Sequence, residues 1–204
     1  MSVLRYGDRA LLVELDSPRD VPDFANAVVL QAHPAILSVV PAARTVLIEF
    51  DPRRVGVAEL EGLIGDCTRQ RAVTEPGPTP AVQIAVRYQG VDLAAVAAEC
   101  GLSIESVIGR HLEAEYTVQF CGFSPGFGYL SGLDRALRLP RLASPRPDVP
   151  AGSVAIADEY TAIYPRSSPG GWRLIGHSDA VLFDLDRSPP ALLVPGTRVR
   201  FVRQ

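Results

Sequence analysis

The chain has 204 residues, 47% of them hydrophobic and 21% charged, with a formal net charge of -3. That supplies apolar material for one large core or two small ones, and its charge offers a nucleic-acid backbone no footing. All 20 basic residues are arginine, which excludes Schiff-base chemistry, a P-loop lysine and a biotin- or pyridoxal-bearing lysine within these residues.

The first third alternates short apolar runs with helical patterns. Residues 10–15, 36–40 and 45–50 read as strands, and 23–32 and 57–70 as helices. A strand–helix–strand–strand–helix series with a tight turn between its two later strands closes most simply as a split βαβ sandwich of the ferredoxin-like kind. Residues 1–75 are therefore expected to form a small α+β domain. The stretch 76–80 follows as a linker, because Pro76, Pro78 and Pro80 can continue neither helix nor central strand.

Residues 81–204 read as a mostly-β domain. A strand is expected over 81–88, a helix over 92–101 ended by Gly101, and a second helix capped by Ser103. Short strands follow at 115–123, 153–158, 161–165, 172–178, 180–185 and 197–202. Strands punctuated by Gly and Pro with no helices between them imply a closed or nearly closed barrel. Cys67, Cys100 and Cys121 form no CxxC pair, so neither a disulfide framework nor a zinc site is expected, and a reducing cytoplasm is the expected location. The first sixteen residues hold Arg5, Asp8, Arg9 and Glu14, unlike a signal peptide, and no apolar run is long enough to span a bilayer.

Aromatic residues and glycines gather in one region, with Tyr116, Phe120, Phe123, Phe127, Tyr129, Tyr160, Tyr164 and Trp172 falling among Gly122, Gly126, Gly128, Gly152, Gly170 and Gly171. Glycine beside large rings suits a ligand groove, since backbone can approach a ligand closely while rings wall it; a barrel core with tight corners is the alternative. Two Ser-Pro-Gly kernels, Ser124-Pro125-Gly126 and Ser168-Pro169-Gly170, each precede an aromatic residue. In such a kernel successive backbone N–H groups can converge as an anion-binding nest.

The strings QFCGFSPGFGYL, VPAGSVAIA, YTAIYP and SPGGWRLIGH, in this order and spacing, resemble the signature of the KipI/PxpB family, also called allophanate hydrolase subunit 1. The resemblance implies a small N-terminal α+β domain before a cyclophilin-like β-barrel. It further implies a C-type partner of the KipA/PxpC, allophanate hydrolase subunit 2-like, kind. The activity it implies is that of a B-type subunit of an ATP-dependent 5-oxoprolinase, with Mg2+ and ATP in the assembled complex and an A-type subunit completing hydrolysis. Carboxyl transfer in a urea carboxylase or allophanate hydrolase-like system, and inhibition of a histidine kinase, are the alternatives within the same family. The chain departs from the family pattern at Gly128 and over 157–163, where Asp158 and Glu159 stand.

Carried onto this sequence, the resemblance and the side-chain chemistry nominate His111 and His177 as catalytic groups able to exchange a proton near neutral pH, structural hydrogen bonds being the alternative for each. Phe123, Ser124, Pro125, Gly126, Phe127, Tyr129, Gly152, Ser153, Tyr164 and Trp172 are the expected substrate-binding set. Arg166 and Arg173, with Ser168, Gly170 and Gly171, are the expected phosphate contacts. Cys121, set between aromatic residues, is expected to be a buried inert thiol.

Overall fold

A computed structural model describes residues 1–69 and 80–204. The chain divides into two compact units, Met1–Pro78 and Thr79–Gln204. Apart from Pro80, the expected linker at 76–80 lies outside the described residues.

The first unit holds strands β1 (Ser2–Tyr6), β2 (Ala10–Glu14), β3 (Ile36–Pro41) and β4 (Thr45–Phe50), with helices α1 (Val21–Leu30) and α2 (Val57–Arg69). The sheet order is β1-β2-β4-β3, every neighbour antiparallel. Strands β2 and β3 therefore run parallel on either side of β4, with α1 crossing between them, which is a split βαβ unit. Period-two alternation turns Val46, Ile48 and Phe50 of β4 inward, where they meet Phe24 and Val28 of α1 and Leu60 and Ile64 of α2. Strand β1 is not among the expected elements. Its five residues sit at the sheet edge, four of them exposed, so no buried alternation marks them in the sequence.

The second unit contains β5 (Val82–Val86), α3 (Leu93–Cys100), α4 (Ile104–Glu113), β6 (Tyr116–Cys121), β7 (Gly128–Ser131), β8 (Arg146–Val149), β9 (Ser153–Ala157), β10 (Tyr160–Ile163), β11 (Ser168–Gly170), β12 (Arg173–His177) and β13 (Arg198–Arg203). Seven strands form one sheet in the order β12-β9-β10-β7-β6-β13-β5, and β8 pairs with β11 apart from it. The two ends of the large sheet meet. Arg87, just past β5, exchanges both backbone hydrogen bonds with His177 of β12, at 2.8 and 2.9 Å. The sheet is thus a nearly closed barrel, filled by Val86, Val118, Leu130, Ile156, Ile163, Ile175 and Phe201 together with Val96 and Val107 of the helices.

Local chemistry sets the helix ends as the sequence implies. Ser103 Oγ accepts the Ser106 N–H at 3.1 Å to start α4, and Gly101, in the left-handed region at φ 64°, ends α3. The strand expected over 180–185 is absent. Leu182 is buried there, but its neighbours Val181 and Leu185 are exposed, and Phe183 makes only an isolated bridge to Ala191. One inward residue in an otherwise exposed run is a loop anchored at a point.

Candidate functional site

Alternation along β10 builds the first half of the site. Thr161 and Ile163 point into the barrel, whereas Tyr160 and the following Tyr164 point out. On that outer side the rings of Phe120, Phe123, Phe127, Tyr129, Tyr160, Tyr164 and Trp172 form one continuous cluster. Phe120 stacks on Tyr129 at 4.2 Å, and Phe127 meets Phe123, Tyr129, Tyr164 and Trp172 edge-on between 5.0 and 5.6 Å. Five of the expected substrate-binding residues are therefore brought together. Trp172, expected to face a ligand, is 5% exposed, and the Arg141 guanidinium lies 5.9 Å from its ring centre. It anchors the wall, and Phe123, 59% exposed, is the ring the wall presents to solvent.

The second half is a cleft of about 430 Å³ along the barrel seam, lined by Gln89, Gly90, Val91, Arg146, Asp148, Pro150, Ser153, Leu174, Gly176 and His177. Ser153 and His177 face each other across β9 and β12, so both side chains lie on the same, outer face. Three glycines let the strands close this tightly. A Cβ on Gly90 would fall 2.2 Å from the Leu174 carbonyl oxygen, and one on Gly176 would fall 2.8 Å from that of Arg87. Gly152, at φ 79°, leaves room for the His177 ring, which a Cβ there would meet at 2.5 Å.

The charged side chains of the cleft are hydrogen-bonded. Arg146 donates to Asp92 Oδ1 at 2.6 Å, and Asp92 Oδ2 accepts the Leu174 N–H at 2.7 Å. Ser167 donates its hydroxyl to Asp148. Behind the cleft Asp179 accepts two hydrogen bonds from Arg87, at 2.6 and 2.9 Å, and lies 3.2 Å from His177 Nε2. The Arg87 guanidinium, and after it the His177 ring, hold the Asp179 carboxyl down at about 2. Gln89, Val91, Arg146, Asp148, Leu174, Arg87 and Asp179 are not in the expected site. Of these, only Asp179, two residues beyond His177, carried a local signal.

Several expected roles are corrected by where the residues lie. His111 is fully buried. Tyr88 Oη lies 2.7 Å from its Nδ1, Thr161 Oγ1 lies 3.0 Å from its Nε2, and Phe201 stacks on its ring at 4.6 Å. Burial pushes its pKa down to about 3, so it is a neutral core residue with no open nitrogen for a substrate. The first Ser-Pro-Gly kernel is a closed turn rather than a nest. Ser124 N–H donates to Gly122 O and Phe127 N–H to Ser124 O, while Pro125 has no N–H, so Gly126 alone keeps one free of these bonds. Ser124 Oγ is buried without a hydrogen-bond partner among the described residues.

The second kernel is strand β11, in which Ser168 and Gly170 pair with Val149 and Arg146. Gly170 instead admits the Tyr164 hydroxyl, which a Cβ would meet at 2.3 Å, and Gly171 lies beside Arg141 and Leu142. Arg173 is buried, donating to Pro140 O at 2.9 Å and to Glu99 at 2.5 Å. Arg166 is exposed beyond β10. Of these five residues, Arg173 and Gly170 are thus already engaged by other parts of the protein. Among the described residues no group of three or more His, Cys, Asp or Glu side chains could hold a metal ion, and no helix is long and apolar enough to cross a membrane. Cys121 is half-buried, its thiol on the Leu193 carbonyl and its pKa raised by burial, as fits an unreactive thiol.

A family model described as carboxyltransferase domain, subdomain C and D, matches residues 1–193. The B subunit of 5-oxoprolinase from Escherichia coli O157:H7 is 39% identical over 206 residues, covering 97% of this chain and 94% of that protein. The B subunit of 5-oxoprolinase from Bacillus subtilis (strain 168) is 48% identical over 125 residues, covering 60% of this chain and 52% of that one. The crystal structure of TTHA0988 superposes with a TM-score of 0.83 at 40% identity, over 96% of this chain and 40% of that one. The match thus takes in nearly all of the first relative but about half, or less, of the other two.

Proposed function

This chain belongs to the carboxyltransferase-domain family of subdomains C and D, in its KipI/PxpB branch, and we propose that it is the B-type subunit of a heteromeric, ATP-dependent 5-oxoprolinase-like hydrolase. The observation that carries this reading is the 39% identity, end to end, with a protein named as the B subunit of 5-oxoprolinase. The chain activates a small lactam or amide together with a C-type subunit and has little activity alone. An A-type subunit completes ring opening.

In this reading the substrate enters the seam cleft, where the Ser153 hydroxyl and the His177 ring offer hydrogen bonds, and Pro150 and Leu174 offer apolar contact. His177 keeps its expected place as the acid/base candidate, and His111 is replaced as one. The aromatic wall adjoins this cleft through Trp172, whose carbonyl accepts from Arg146 at 3.4 Å. Because Arg173 is engaged by Glu99 and Pro140 and Gly170 by Tyr164, the nucleotide's phosphates are read as held largely by the C-type partner. The larger unit is read as a cyclophilin-like barrel. The smaller is read as ferredoxin-like, with β1 in the edge position beside β2 that a last strand would take. The three cysteines are free, which suits the cytoplasm.

Coexpression with the C-type subunit tests the proposal. A stable complex whose ATP hydrolysis rises on adding 5-oxoproline, with neither chain responding alone, supports it. A well-formed complex that ignores 5-oxoproline would count against it.

A further inference from the structure

Four groups from three distant parts of the chain lie in a row across the outer face of the barrel seam. Ser153 on β9 is the ladder partner of His177 on β12, and His177 is in turn the bridge partner of Arg87. Adjacent residues in a ladder share a face, so the three side chains project together. Asp179 closes the row from behind, with one oxygen on Arg87 Nη1 at 2.6 Å and the other on Arg87 Nη2 at 2.9 Å. The second of these oxygens is also the one 3.2 Å from His177 Nε2. Arg87 is itself braced by Gln204 Oε1 at 2.8 Å.

This arrangement decides which nitrogen of His177 carries the proton. A carboxylate doubly bonded by a guanidinium is an acceptor only, so the imidazole edge facing it must donate. Nε2 therefore holds the hydrogen, and Nδ1, which has no partner among the described protein residues, is left as an acceptor. Among the described residues no other charged side chain bonds the ring: Arg146 is held by Asp92, and Asp148 accepts from the Ser167 hydroxyl. Gly152 leaves room for the Cε1–Nε2 edge of the ring, which a Cβ there would meet at 2.5 and 2.9 Å.

We infer that Arg87 and Asp179 are positioning residues that lock His177 in its Nε2–H form, so that Nδ1 serves as the acceptor for an N–H group of an amide or lactam bound in the cleft beside Ser153. The inference rests on the cleft being the substrate site of the proposed hydrolase. It adds the reason an amide fits: a ligand N–H meets a nitrogen lone pair, while the Ser153 hydroxyl can donate to the ligand carbonyl. A ligand lacking the N–H leaves Nδ1 without its partner, which is how a polar site discriminates.

The test has two readouts. Imidazole 15N shifts of the full chain, labelled at histidine, report the tautomer of neutral His177 without any need for activity. The wild type is expected to show the Nε2–H form, and Asp179→Asn a mixed or Nδ1–H form, because the carboxamide can present its NH2 group to the ring. Asp179→Ala should lose the preference, and Arg87→Lys should keep part of it. In the assembled pair, Asp179→Asn should lower 5-oxoproline-dependent kcat by about tenfold or more with a smaller change in KM, as expected when a tautomer rather than a contact is lost. N-methylated lactam should fail to stimulate the wild-type pair. An Nδ1–H form in the wild type, or one tautomer unchanged in both Asp179 variants, would overturn the positioning role whatever the enzyme's substrate. A locked Nε2–H tautomer in a pair that ignores 5-oxoproline would leave the positioning role standing and refute the assignment of this substrate. Full stimulation by the N-methylated compound would refute the N–H contact alone.

Discussion

The Tyr88 hydroxyl and His111 Nδ1 lie 2.7 Å apart inside the barrel, and the other ring nitrogen lies 3.0 Å from the Thr161 hydroxyl. A neutral imidazole suits this site, and burial lowers its pKa from 6.5 to about 3. In the unfolded chain the same ring takes a proton near its ordinary pKa. Between those values the unfolded state binds the extra proton, so the histidine's contribution is complete above the unfolded pKa and is lost as pH falls. The loss approaches about 1.4 kcal/mol per pH unit inside that window. Urea unfolding of the wild type and His111→Gln, from about pH 7 down to about pH 4, should show a steeper decline for the wild type. Equal slopes would mean that the ring is protonated in the folded protein.

The aromatic wall should divide sharply in energetic weight. Phe127, 2% exposed, touches four other rings, whereas Phe123 is 59% exposed. Phe127→Ala is expected to cost about 3–5 kcal/mol of stability by removing buried surface and leaving a cavity. Phe123→Ser should cost no more than about 1 kcal/mol. Denaturant midpoints compare the two, and similar losses would show that Phe123 is as firmly packed as Phe127.

Glycine substitutions separate backbone strain from obstruction. Gly101 and Gly152 have φ of 64° and 79°, but a Cβ meets nothing within 4 Å at the first, whereas at the second it meets the Ser178 carbonyl oxygen at 2.4 Å and the His177 ring at 2.5 Å. Gly101→Ala should cost about 1–2 kcal/mol for the left-handed conformation alone. Gly152→Ala should cost more and also displace His177, seen as a change in its imidazole resonances. Unmoved resonances would show that the His177 ring does not rest on Gly152, whatever the cost of the clash with the Ser178 carbonyl.

Much of the barrel is legible because its strands alternate. The outward Tyr160 and Tyr164 and inward Thr161 and Ile163 can be read from period two alone, and Ser103 and Gly101 mark real helix ends. The expected catalytic role of His111 fails although its place is written in the pattern: Ile104, Val107, Ile108 and His111 follow helical spacing, and the last three are buried on one face of α4. The cleft is harder to see. Arg87 lies 92 residues from Asp179 in the chain, and only barrel closure brings it to Asp179 and His177. The Ser-Pro-Gly kernels mislead for a related reason, since pairing with β8 straightens the second one, a long-range contact that local turn chemistry does not reveal. Strand β1, short and exposed at an edge, leaves almost no signature.

The most direct measurement is 5-oxoproline-stimulated ATP hydrolysis by the assembled pair, with the wild-type chain and with Val91→Trp. Val91 lines the cleft yet is 77% exposed, so a larger side chain there obstructs the opening without disturbing the core. Stimulation is expected in the wild-type pair, with a fall of about tenfold or more in the variant while the complex stays intact. Stimulation undiminished by Val91→Trp, or absent from a well-formed wild-type pair, would contradict this reading.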